Sequence, residues 1–223
     1  MSELLEKTTF ILPLEIKKTL YKTLFNLRKQ FLKILKENSL ESVAYLKTLL
    51  YLSKTLKTLS LPIIIHVFTV PSEKETSTGL GKGLIFTDNS IGIEISLNIL
   101  SLVNNEDDWI GFCKAFIAAV EHEYIHIQQE LRDERQVKIE TKPYYTNPKE
   151  LSALSSNVID ELLDYFSIED VLPMLSANFD ALLDYSKTLF VLYFEIGPKA
   201  KSFNKKAWKT FLLFLESRIR ALY

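Results

Sequence analysis

The segment EDDWIGFCKAFIAAVEHEYIHIQQELR, residues 106–132, decides how this chain is read. Its apolar side chains recur every three or four residues, the period of an α-helix. Asn105 supplies a cap, and Glu106, Asp107 and Asp108 place acids at the positive end of the helix dipole. Cys113, Ile117, Val120, Tyr124, Ile127 and Leu131 fall on one stripe, which predicts a core-facing surface. Ala115, Ala118, Ala119, His122, His126 and Gln129 fall on another, where small side chains let a second element approach closely. His122, Glu123 and His126 spell H-E-x-x-H in a chain with only three histidines. At i and i+4 both imidazoles project from one face and can share a small divalent cation, with a glutamate beside them to activate a water. This composition yields the pattern by chance roughly 0.003 times, so coincidence is a poor account of it.

Working outward, Leu20, Leu24, Leu27, Phe31 and Leu35 predict an amphipathic helix over about 14–38 with a lysine-rich outer face. A second helix over about 40–59, with Ser39 as cap and Glu41 in its first turn, completes a helical hairpin. Ile63, Ile64, Ile65, Val67 and Val70 form a β-branched run closed by Pro71, as a strand would be. Residues 72–83 read as a mobile loop, able to act as a flap. Leu84–Thr87 and Ile91–Leu97 flank Asp88, Asn89 and Ser90 as a β-hairpin. After a polar connection, Asn147-Pro148-Lys149-Glu150 opens a helix to about Phe166. Ser167 caps a helix interrupted by Pro173, and a further helical stretch reaches Ile196, where Gly197-Pro198 ends it. A last helix spans about 203–221. The expected fold is α+β, mostly helical with one small sheet of about three strands. The expected organisation is a helical hairpin over 1–60, packed on a metal-binding core with C-terminal helices over 61–223.

With 223 residues, 47% of them hydrophobic, the chain can bury a substantial core. Lys plus Arg number 27 against 28 Asp plus Glu, so the overall balance gives no footprint for nucleic acid or an anionic membrane. The single cysteine, Cys113, excludes an intrachain disulfide framework and a cysteine-rich zinc knuckle. With no signal peptide over Met1–Pro13 and no apolar run of bilayer length, a cytoplasmic, reducing location is expected.

A catalytic zinc generally takes three protein ligands and leaves a fourth position for water. His66, the remaining histidine, lies in an apolar strand run, where an imidazole is more often a sheet-face residue. Glu130 shares the histidine face but lies about 12 Å along the axis from His122. Glu150 is the stronger choice, because it begins a separate helix after a connection long enough for the chain to reverse. It has a structural alternative: at the third helical position it could bond back to Asn147 in a capping box. Glu161 and Asp164 are further alternatives on the same helix.

The stretch Val120-Glu121-His122-Glu123-Tyr124-Ile125-His126-Ile127, followed downstream by Pro148-Lys149-Glu150-Leu151-Ser152-Ala153, resembles the zincin metallopeptidases, in particular the gluzincin-type branch. That resemblance, covering about residues 61–166, implies His122, His126 and Glu150 as zinc ligands and Glu123 as general base. It also implies Ile91–Leu97 as the edge strand on which a peptide substrate lies. The extended metzincin pattern is absent, since no glycine and no third histidine follow at the needed places. Tyr144 and Tyr145, shortly before Glu150, are expected to offer a phenol to a developing oxyanion. The resulting expectation is a zinc-dependent hydrolase, a metallopeptidase acting on a peptide or protein substrate, with a protein partner for the N-terminal hairpin. The alternative is a non-catalytic interaction protein with a structural or degenerate zinc site.

Overall fold

The structure, a computed structural model, describes residues 12–69, 79–132, 144–177 and 179–222. Helix α1, Leu14–Glu37, buries Ile16, Leu20, Leu24, Leu27, Phe31 and Ile34, the stripe its three- and four-residue spacing predicts. Helix α2, Glu41–Thr58, turns Ala44, Tyr45, Thr48, Leu49, Leu52 and Leu56 inward. Leu40 rather than Ser39 occupies its N-cap position, without a side-chain cap bond. The Tyr45 hydroxyl donates to the carbonyl of Ile95, which ties the hairpin to the sheet.

Three described strands follow, β1 Ile65–Thr69, β2 Leu80–Ile85 and β3 Ile91–Ile95, in the order β1-β3-β2. β1 runs parallel to β3, with Ile65 opposite Ile91, and β2 runs antiparallel to it, with Ile85 opposite Ile91. This corrects two expectations. Strand β3, expected at the edge, is central among the described strands, and β1 and β2 flank it. The strand also starts at Leu80, within the segment expected to be a loop; the rest of that segment, through residue 78, lies outside the described residues. Asn89, at φ 60°, makes the hairpin turn, and the Asp88 carboxylate accepts from the Ser90 N–H at 3.0 Å. An asparagine accepts this left-handed conformation more readily than most residues.

Side-chain alternation divides the sheet into two faces. Ile91, Ile93 and Ile95 are fully buried on one. On the other, Phe68 and Phe86 rest over Gly92, where a Cβ would come within 2.4 Å of the Phe68 ring. His66 joins this aromatic group, its ring centroid 5.7 Å from that of Phe86.

After the short α3, Ile99–Leu102, comes α4, Glu106–Arg132. Its start is capped as expected, the Asn105 side chain accepting from the Asp107 N–H at 2.9 Å. The buried arc of α4 is wider than one stripe. Trp109 is fully buried, donates from Nε1 to the Leu24 carbonyl at 3.2 Å and meets Phe31 edge-on at 5.5 Å. Phe112, Phe116 and Ile125 are buried too, while Leu131, expected in the core, is 50% exposed. Enclosure by α1 as well as by the sheet side explains why a single-stripe reading fell short.

A one-turn 3-10 helix at Tyr144–Thr146 leads into α5, Pro148–Leu163, followed by α6 Ile168–Ala177, α7 Phe179–Leu182, α8 Lys187–Glu195 and α9 Lys205–Leu222. α5 packs along α9, and Trp208, Phe211, Leu215 and Ile219 join Leu151, Val158 and Leu162 in one apolar cluster. Pro173 lies inside α6 without ending it. The expected run to Ile196 is instead broken before α8, where Ser186 caps the new helix by accepting from the Leu189 N–H at 3.0 Å. The described chain divides into two compact units, residues 12–127 and 128–222, each with its own core. The fold is α+β and mostly helical, with one small mixed sheet. No helix among the described residues is long and apolar enough to cross a membrane.

Candidate metal centre

The spacing of His122 and His126 on α4 has the geometric result it predicts. Their Nε2 atoms lie 3.1 Å apart, with ring planes at 80°. Two imidazoles on one tetrahedral zinc, each about 2.0–2.1 Å from the ion, would hold their nitrogens about 3.3 Å apart. The same separation suits a hydrogen bond between one ring's N–H and the other's lone pair. Both side chains are half-buried, as suits groups that must meet a small ligand.

Two features fix this stretch of α4. Glu121 is fully buried, its Oε2 2.5 Å from Lys17 Nζ and its Oε1 accepting from the Leu12 N–H at 3.1 Å. A carboxylate held this way sets the rotation of α4 about its axis, and with it the direction of the neighbouring histidine. Replacing Lys17 with methionine would leave the buried carboxylate without this cation, at a cost of about 3 kcal/mol. Urea denaturation would read that as a lowered midpoint; an unchanged midpoint would remove the pair from any stabilising role.

The second feature is Gly83 on β2. A Cβ built there would come within 2.2 Å of Glu123 Oε1 and 2.7 Å of its Cδ. The Glu123 carboxyl therefore lies against the strand backbone in space that any side chain at 83 would fill. A glycine inside a strand often marks such an approach, a signal present in the sequence but read there as loop.

Glu150 stands at the third position of α5. Pro148 is the first helical residue, and the Asn147 side chain caps the helix by accepting from the Lys149 N–H at 3.0 Å. The Asn147 N–H, which a capping box would direct to Glu150, is taken up by the Tyr144 carbonyl at 3.2 Å. Glu150, in the unit of residues 128–222, is half-buried, as are His122 and His126, and each of the three can offer one donor. Two imidazoles and a carboxylate form a donor set suited to zinc, so the residues fit such an ion.

The remaining sequence-predicted positions are placed as follows. His66 belongs to the aromatic face of the sheet, with Phe68 and Phe86. Glu161 closes the N-terminus of α8, accepting from the Thr188 N–H at 3.0 Å and from the Ser186 hydroxyl at 2.5 Å. Asp164 is exposed at the end of α5. Tyr145 is packed against the apolar cluster of residues 128–222, and Tyr144, 49% exposed, crosses its ring edge-on at 5.1 Å. Cys113 is buried on α4, where loss of solvation pushes its thiol up to about 12, so it stays protonated and inert near neutrality.

No protein-family model, curated protein or solved structure matches the chain. The zincin resemblance therefore rests on the sequence motif alone.

Proposed function

We propose that the protein is a zinc-dependent hydrolase, a metallopeptidase of gluzincin type, with His122, His126 and Glu150 as ligands and Glu123 as general base. The observation that carries this reading is the 3.1 Å convergence of two histidine Nε2 atoms beside a glutamate that is itself held against a strand. Bound zinc would polarise the scissile carbonyl and lower the pKa of a water. With such an ion bound, Glu123 would take the proton from a water as its oxygen adds to the carbonyl carbon. It would then return the proton to the amine as the C–N bond breaks. Tyr144 and Tyr145 are the phenols this proposal offers to the oxyanion.

The test is metal analysis of protein purified without added metal or a histidine tag. Near-stoichiometric zinc, removed by chelation and restored by zinc alone, is expected; a metal-free protein that zinc does not stabilise would sink the reading. Gly83→Ala gives a finer check. The added methyl forces the Glu123 carboxyl aside while leaving the ligands in place. Zinc content should hold and kcat on a fluorogenic peptide library should fall by about 10²-fold, the scale of a misplacement near 1 Å. Wild-type turnover in that variant would mean that the close approach of strand and carboxylate has no bearing on the chemistry.

A further inference from the structure

The outward face of α2 is apolar where a helix on the surface would be polar. Leu40, Leu46 and Leu50 are 65%, 53% and 70% exposed, and Val43 and Tyr51 are exposed beside them. At about 100° per residue, these side chains share one arc with Lys47, Lys54 and Lys57, opposite the buried Tyr45, Leu49, Leu52 and Leu56. Glu41, the one acid of the helix, falls outside that arc. The imbalance extends over the hairpin: residues 14–59 hold ten Lys or Arg against three acids. A near-neutral total charge thus conceals a strongly basic hairpin.

We propose that this face docks on an anionic lipid bilayer, the leucines entering the headgroup boundary and the lysines staying at the level of the phosphates. Three features favour that occupant. The surface is the convex outside of a single helix, which a bilayer accepts along its whole length. The lysines stand among the leucines rather than around them. In the centre of a protein interface lysine is depleted, whereas at a bilayer its long stem lets the ammonium reach the headgroups from within an apolar face. A second copy packed on the same face would bring Lys47, Lys54 and Lys57 of both chains together with no acid on the arc to answer them. The attraction of such a cluster for acidic lipid falls off within a Debye length, so binding should weaken steeply with salt.

Flotation of the full chain with phosphatidylcholine vesicles, with and without about 30% phosphatidylserine, tests the proposal. Binding to the acidic vesicles is expected, reduced about tenfold by Leu46→Gln with Leu50→Gln and brought down to the level of neutral vesicles by Lys54→Glu with Lys57→Glu. All four positions are exposed, and circular dichroism confirms that the variants remain folded. Absence of binding, or equal binding by wild type and the leucine variant, would overturn the proposal. So would a dimer in gel filtration that the leucine changes dissolve, which would assign the face to a second copy.

Discussion

Glu123→Gln is expected to keep its zinc and its fold while hydrolysis falls by about 10³-fold or more, in the upper part of the range for loss of a general base. The amide has the size and shape of the carboxyl group, so it fits the same space beside Gly83, where a Cβ would come within 2.2 Å of Oε1. What it lacks is the ability to accept a proton from water. The loss should therefore appear in kcat, with KM little changed and metal content intact. This separates it from Gly83→Ala, in which the carboxylate keeps its basicity and loses its position. Full activity in Glu123→Gln would remove Glu123 as the base. Loss of zinc in the same variant would show that its carboxyl group supports the metal instead.

What the sequence disclosed about this site follows from how local each relation is. His122 and His126 are one helical turn apart, so the period of α4 alone predicts that their rings converge. The helix start at Glu150 was legible for the same reason: Asn147 and Pro148 are a cap and a first-turn proline in consecutive positions. The relations that escaped notice are those made across the chain. Lys17 read as part of a solvated lysine face on α1, yet its ammonium pairs with the buried Glu121. Gly83 read as loop because glycine lowers strand propensity, and the reason for the glycine lies on α4, a different element. His66 could be placed in a strand, but its membership of an aromatic group depends on the register that sets it opposite Gly92. The strand order was hidden likewise: alternation shows which residues form β3, not which strands lie on either side of it. The same distinction applies to charge. A total near neutrality says nothing of how the lysines are distributed over the surface, and the basic hairpin emerges once residues 14–59 are seen as one folded element.

His126→Ala and Glu150→Gln should each weaken zinc binding by about three orders of magnitude or more, because an ion held by three protein donors is left with two good ones. The two variants ask different questions. His126→Ala removes one imidazole of the pair whose rings meet at 4.8 Å, so the change tests the motif itself, with the stability of the metal-free protein measured alongside. Glu150 sits where a helix-capping carboxylate would also sit, and its substitution must be read beside Asn147→Ala. A glutamine can replace a capping carboxylate but is a poor donor to a doubly charged ion. Asn147→Ala removes the bond to the Lys149 N–H and should cost about 1 kcal/mol of stability in the metal-free protein. Zinc affinity should then fall only so far as the helix start is loosened. If Glu150→Gln instead keeps wild-type zinc affinity, the carboxylate is no ligand. The third donor must then be sought away from Glu161, whose oxygens are already engaged at the start of α8.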